Sequence, residues 1–94
     1  MKVVKVEVRN KKDKKEIIYI NVEMIAAIEV KNVNFGGYGW VVDIYLNNKM
    51  YNAFEDYYNN PIRIPVKSEE DGKDFVEKIF EIRDIINMGV FEKN

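Results

Sequence analysis

The sequence contains no cysteine and no histidine in its 94 residues. Without cysteine the chain can form no disulfide and has no thiol nucleophile. Without cysteine and histidine the usual zinc ligands are missing, and without histidine the commonest general base is missing. Threonine is also absent, and the single serine, Ser68, is explained by a helix start. A serine-type catalytic triad is therefore not expected. We predict that the protein is not an enzyme and has no catalytic residue, cofactor or metal.

Long hydrophobic runs are also missing from the chain. A transmembrane helix needs about 18 or more consecutive apolar residues, and no such stretch is present. The first residues, 1–8, alternate charged residues with valine and so lack the continuous apolar core of a signal peptide. We therefore expect a cytoplasmic protein without a membrane partner.

Charge and residue usage narrow the class further. Residues 1–50 carry nine basic and six acidic side chains (net +3), and residues 51–94 carry six and ten (net −4), which gives −1 for the chain. Neither half is typical of a strong polyelectrolyte binder.

Lys, Asn, Ile, Tyr and Phe supply 46 of the 94 residues. Because these residue types have AT-rich codons, the usage indicates an AT-rich genome. We expect the source to be a bacterium or a phage.

The first half of the chain has the pattern of strands joined by short turns. Residues 2–9 alternate with period two, and a second strand at residues 16–20 would pair with them across a charged turn. Residues 21–24 predict a tight corner, since asparagine can cap a short helical turn. Residues 26–31 then alternate as a third strand. A helix over residues 22–30 is the alternative, but it would be short and weakly amphipathic.

The next strands follow a glycine-rich connection at residues 34–39. A fourth strand begins there, with four side chains facing inward: Trp40, Val42, Ile44 and Leu46. An asparagine turn at residues 47–49 predicts a hairpin to a returning strand at residues 50–54. Residues 62–66 predict a further short strand, which belongs at a sheet edge because the prolines at its start and within it cannot donate ladder hydrogen bonds.

A C-terminal helix is the clearest feature of the sequence. Ser68 is a suitable N-cap with Asp71 at the N3 position, and acidic residues fill the first turns. Apolar residues then recur at helical spacing: Phe75, Val76, Ile79, Phe80, Ile82 and Ile86. Gly89 predicts the end of a helix over residues 69–88. We expect its last turn, with Val90 and Phe91, to overhang the sheet and to need a second subunit.

These elements predict one α+β domain over residues 1–94, with strands between about residues 2 and 66. We expect five to six mostly antiparallel strands in one sheet, packed on one C-terminal amphipathic helix. One helix covers one face of such a sheet, so the other face is expected to be open. There Tyr45 and Tyr51 would lie opposite each other, with Tyr19 and Val41 beside them. Tyrosine pairs are ordinary in sheets, and they are also favoured anchors of protein interfaces.

Carboxylates are the remaining groups with catalytic potential. Asp43, Glu55 and Asp56 could supply an acid/base pair, but we interpret them as solvated acids of strands and loops. The acidic residues at the helix start could hold a hard cation. They do not have EF-hand spacing, and the helix dipole explains them.

A second class of function is suggested by the segment of residues 37–41, which resembles the RNP1 motif of RNA-recognition domains. Gly36 stands where that motif has Lys or Arg, and the long helix comes last in the chain, unlike in that fold. The alternative function is therefore single-stranded nucleic-acid (RNA) binding. It would use the aromatic loop and the basic hairpin tip, namely Phe35, Tyr38, Trp40, Lys11, Lys12, Lys14 and Lys15. A solvated turn is the simpler interpretation of these lysines.

The stretch of residues 20–29, Ile-Asn-Val-Glu-Met-Ile-Ala-Ala-Ile-Glu, resembles small bacterial proteins of the FlbD (flagellar-operon) type, and more weakly LytTR-type DNA-binding domains. Residues 66–70 with 75–79 are similar to the helix start of the FlbD type. The glycine-aromatic loop at residues 35–39 and the insertion around residues 56–60 depart from it. The resemblance implies this order of elements and a regulatory or interaction role. Our leading hypothesis is a non-enzymatic interaction module that binds a second copy (a homodimer) or another protein.

Overall fold

The computed structural model of the chain describes residues 2–9, 12–34, 39–47, 61–81 and 85–93. The elements in chain order are β1 (Val3–Arg9), β2 (Lys15–Asn21), a 3₁₀-helix (Val22–Met24), β3 (Ile25–Asn32), β4 (Trp40–Leu46), β5 (Ile62–Val66) and α1 (Glu69–Phe80). The predicted α+β class is confirmed.

The first two strands form an antiparallel hairpin. Val3 lies opposite Asn21, and Arg9 lies opposite Lys15. Along β1 exposed and half-buried residues alternate strictly, so the valines at even positions form the apolar face. Asp13, in the connection between the strands, has a positive φ of 61°, a conformation that Asp tolerates better than most residues. The predicted hairpin is confirmed.

A 3₁₀-helix forms the corner between β2 and β3. The side-chain Oδ1 of Asn21 accepts a hydrogen bond from the backbone N–H of Glu23 at 3.1 Å. The N–H of Val22 donates to the carbonyl oxygen of Lys2 at 2.9 Å. The predicted corner is confirmed, and the alternative helix over residues 22–30 is wrong. An isolated helix of that length is marginal, whereas β3 pairs regularly with β4 from Ala27 to Asn32.

The remaining strands form a second antiparallel sheet in the order β3-β4-β5. Ile28 of β3 lies opposite Ile44 of β4, and Val42 lies opposite Ile64 of β5. The expected single sheet of five to six strands is not observed, because the described strands form one sheet of two and one of three. The 3₁₀-helix turns the chain between β2 and β3, which do not pair. The predicted strand at residues 50–54 lies outside the described residues.

Both outer strands of this second sheet carry an irregularity. β5 contains Pro65, which has no N–H to donate, and its predicted place at the edge is confirmed among the described strands. In β3 the pairing with β4 shifts register between Ile25 and Ala27, as at a β-bulge. Prolines and bulges both disfavour pairing with a further strand.

The helix α1 begins as predicted and ends earlier. The backbone N–H of Asp71 donates to the Ser68 hydroxyl oxygen at 3.1 Å. The helix stops at Phe80, where Glu81 takes a left-handed conformation and its N–H donates to carbonyl oxygens of the last turn. The expected extension to residue 88 is therefore wrong. Phe75, Ile79 and Phe80 pack on the core, and none of the later residues that the structure describes does. Helices are stabilised in proteins mainly by such packing.

The core lies where hairpin, sheet and helix meet. Its fully or nearly buried members come from all three, namely Ile20, Val42, Ile44, Ile64 and Ile79. Helix α1 approaches β3 closely at Gly72, where an added Cβ would lie 2.6 Å from Val30 Cγ1. A glycine in the middle of a helix costs stability relative to alanine, and this contact is the reason for one here.

Candidate functional site

Strand β4 is buried on both of its faces. Val42 and Ile44 face the core, and Val41 and Asp43 on the opposite face also have no exposed surface. Burial of an aspartate carboxylate is costly unless a cation and hydrogen bonds compensate it. The side chains around Asp43 therefore decide what this face can do.

The compensating cation is Arg63, directly opposite Asp43 in the ladder between β4 and β5. Its Nε donates to Oδ1 at 2.9 Å and its Nη2 donates to Oδ2 at 3.0 Å. This is the bidentate arrangement that makes arginine–carboxylate pairs strong. Both carboxylate oxygens are engaged, so Asp43 is poorly suited to acid/base work. Our interpretation of Asp43 as a solvated acid is wrong.

Tyr45 and Glu29 extend this arrangement across the sheet. Glu29 lies opposite Asp43 on β3, and the Tyr45 hydroxyl donates a hydrogen bond to Glu29 Oε1 at 3.3 Å. Burial raises the pKa of Tyr45 above its ordinary value, and the negative charge of Glu29 and the hydrogen bond to it raise this pKa further. We call Glu29, Asp43, Tyr45 and Arg63 the polar row.

Three of the four residues of the predicted tyrosine surface are described, and they lie on two sheets. Tyr19 lies on β2 and is 67% exposed, whereas Tyr45 lies on the other sheet and is half-buried. Val41 has no exposed surface and so cannot contribute to a surface. These three side chains do not form one open face, and Tyr51 lies outside the described residues.

The predicted nucleic-acid surface is described only in part. Phe35, Tyr38 and Lys11 lie outside the described residues. Trp40 is half-buried at the start of β4, on the face that also carries Val42. The remaining basic residues, Lys12, Lys14 and Lys15, are exposed in and beside the hairpin turn. Nucleic-acid binding stays a prediction.

Sequence reasoning missed the role of Arg63, although a signal was present. Asp43 is the single charged residue within the apolar strand Trp40–Leu46. A carboxylate inside a strand buried on both faces needs a cation on a neighbouring strand. Arg63 is the charged residue of the nearby strand Ile62–Val66, and it could have been matched to Asp43 on that ground.

The most exposed apolar residues lie after the helix. We call residues 85–93 the C-terminal segment; it has no helix or strand. Ile86, Met88, Val90 and Phe91 are 85%, 77%, 93% and 81% exposed, and Ile85 is 57% exposed. The side-chain Oδ1 of Asn87 accepts a hydrogen bond from the N–H of Gly89 at 2.8 Å. The predicted helix end would have carried these side chains, but the segment presents them without a helix.

Other kinds of site are absent from the part of the chain that the structure describes. There, no group of three or more acidic side chains could hold a metal ion, and no helix has the length and apolar character to cross a membrane. At the start of α1, Lys73 Nζ lies 3.6 Å from Glu69 Oε1 and 4.0 Å from Glu70 Oε1. Comparison of the chain with protein-family models, curated proteins and solved structures finds no match, so the resemblance to FlbD-type and LytTR-type proteins stays a prediction.

Proposed function

We propose that this chain is a non-enzymatic protein-interaction module that self-associates. The observation that carries the proposal is the exposure of the C-terminal segment, where four large apolar side chains are each more than three-quarters exposed. Scattered exposed apolar residues are normal on a protein surface, but contiguous ones mark interaction sites. A bacterial or phage cytoplasm, expected from the sequence, is part of this proposal, as is the regulatory role implied by the FlbD-type resemblance.

The free energy available from this segment is sufficient for association. Burial of one Val, Ile, Met or Phe side chain contributes about 1.5–3 kcal/mol. Four such side chains, Ile86, Met88, Val90 and Phe91, lie within six residues of sequence. Part of the gain is lost in ordering the segment and in the entropy of association. The remainder is still compatible with a dimer at micromolar concentrations.

The chemistry of the chain favours interaction over catalysis. The sequence has no histidine or cysteine, and Asp43 is held by Arg63 at both carboxylate oxygens. Perturbed ionisable groups often mark active sites. Among the described residues, the group with a shifted pKa is Tyr45, whose hydroxyl donates a hydrogen bond to Glu29 within the sheet. These contacts are those of a structural polar network.

The proposal is tested by light scattering with size-exclusion chromatography at two concentrations. We expect a mass of twice 11.1 kDa for the unmodified chain. We expect a monomer for the double variant Val90→Lys with Phe91→Lys, because both side chains would lose their apolar contacts. Tyr19→Ser is the matched control, since it removes an exposed aromatic side chain from the hairpin and should leave the dimer intact.

Two results would contradict this proposal. A monomer of the unmodified chain at both concentrations would exclude self-association under the conditions used. A dimer that is lost with Tyr19→Ser, and kept when residues 90 and 91 are changed, would place the contact on the outer face of the hairpin instead.

A further inference from the structure

A groove of about 430 Å³ runs between strand β1 and helix α1. Its apolar lining consists of Val4, Val6, Phe75 and Ile79, and its charged lining consists of Lys2, Lys5, Glu7, Lys78 and Glu81. Consecutive residues of β1 point to opposite faces of the hairpin. Because β1 residues of both faces line the groove, it must follow an edge of that strand.

The edge in question is the one that β2 does not occupy. Among the described strands, β1 pairs with β2 alone. At one end an ion pair bridges the groove, with Lys2 Nζ 3.1 Å from Glu81 Oε2. The groove thus offers an apolar floor beside a strand edge, which is the surface that an extended peptide segment binds.

The C-terminal segment has the complementary properties. It is apolar, it has no helix or strand, and its side chains are almost fully exposed. Only three residues separate Ile85 from Glu81, which itself lines the groove. The C-terminal segment therefore begins close to the groove, but no side chain of the segment lines the groove in the same chain.

We propose that the groove of one copy binds the C-terminal segment of a second copy. This inference rests on the proposed self-association and names its contact. Each chain carries one groove and one segment, so a reciprocal exchange satisfies both surfaces of both copies with twofold symmetry. The exchange would cover apolar side chains of the segment that are more than three-quarters exposed in the single copy, together with the groove lining.

The contact can be tested with engineered cysteines, because the chain has none of its own. One variant is Lys5→Cys in the groove, and the other is Val90→Cys in the segment; both positions are exposed. The two variants are mixed and oxidised, and mixed disulfides are counted by mass spectrometry. We expect this pair to form on the order of 10-fold faster than the pair of Lys67→Cys with Val90→Cys, because docking raises the local thiol concentration.

Three outcomes separate this inference from the proposed function. Preferential linking of residues 5 and 90 between copies supports it. A dimer by light scattering with equal linking rates at residues 5 and 67 would keep self-association and overturn the groove contact. Ring closure within one chain of the double variant Lys5→Cys with Val90→Cys would show that the groove takes its own segment, and would also overturn the inference.

Discussion

On one face of strand β4, Val42 and Ile44 are buried among the apolar side chains of the hairpin and the helix. On the other face Val41 and Asp43 are equally buried, but Asp43 is there because Arg63 binds both of its oxygens. The first face depends on volume and close contact, which tolerate small shape changes poorly. The second depends on charge pairing, which fails when one partner is removed. Substitutions on the two faces should therefore destabilise the fold for different reasons.

The largest effect on stability is expected on the face of β4 that carries Asp43. Arg63→Met leaves the Asp43 carboxylate buried without its bidentate partner, and we expect a loss of about 3 kcal/mol in the free energy of unfolding, measured by urea denaturation. We place it at the low end of the usual range because the Arg63 side chain is 34% exposed.

The control for this prediction removes both charges. Asp43→Val with Arg63→Val places two β-branched side chains opposite each other, and it should recover most of the lost stability. A double variant as unstable as the single one would show that the pair contributes through its shape rather than through its charges.

A smaller effect on stability is expected where helix α1 packs against β3. Gly72→Ala places a Cβ 2.6 Å from Val30 Cγ1. Overpacking costs about 1–3 kcal/mol and the gain in helix propensity returns about 1 kcal/mol, so we expect a net loss of roughly 1 kcal/mol. If Gly72→Ala instead stabilises the protein by about 1 kcal/mol, as the helix propensity alone predicts, the close contact with Val30 is not limiting.

The smallest effect concerns the ionisation of Tyr45. Its pKa is raised by burial and by Glu29, so the folded state favours the neutral phenol. This contribution to stability is present below the ordinary pKa of about 10 and is lost as the pH rises through the higher folded-state value. Absorbance titration of the chain against Tyr45→Phe isolates this group.

Glu29→Gln provides the comparison for the titration, since it removes the charge and keeps a hydrogen-bond acceptor. We expect this variant to lower the pKa of Tyr45 towards its ordinary value. No change in the pKa would mean that burial and the negative charge of Asp43 raise it without Glu29.

Local patterns predicted the elements whose causes are local. The alternation of valine with charged residues in β1, the Asn21 cap and the Ser68 cap each act within four residues, and each is observed. The end of α1 could not be found in this way, because the sequence continues the helical spacing of apolar residues past Phe80, where the helix ends. Periodicity shows which side of a helix is apolar, and it does not show how far the underlying sheet extends.

The candidate sites were harder to predict because their partners are distant in sequence. Asp43 and Arg63 are 20 residues apart and meet only through the β4–β5 register. The burial of Val41 likewise required knowledge of what lies over β4. The length of the predicted helix led us to expect exposed apolar residues at the end of the chain, but as a helical turn that the structure does not form.

The irregular outer strands of the three-stranded sheet bear on whether this sheet can extend into fibrils. Strand edges that remain regular can recruit identical edges from other molecules without limit, as in amyloid. Pro65 interrupts the donors of β5, and the register shift between Ile25 and Ala27 distorts β3. Addition of a further strand at β3 or β5 is disfavoured, so we expect that an assembly of this chain does not grow through this sheet.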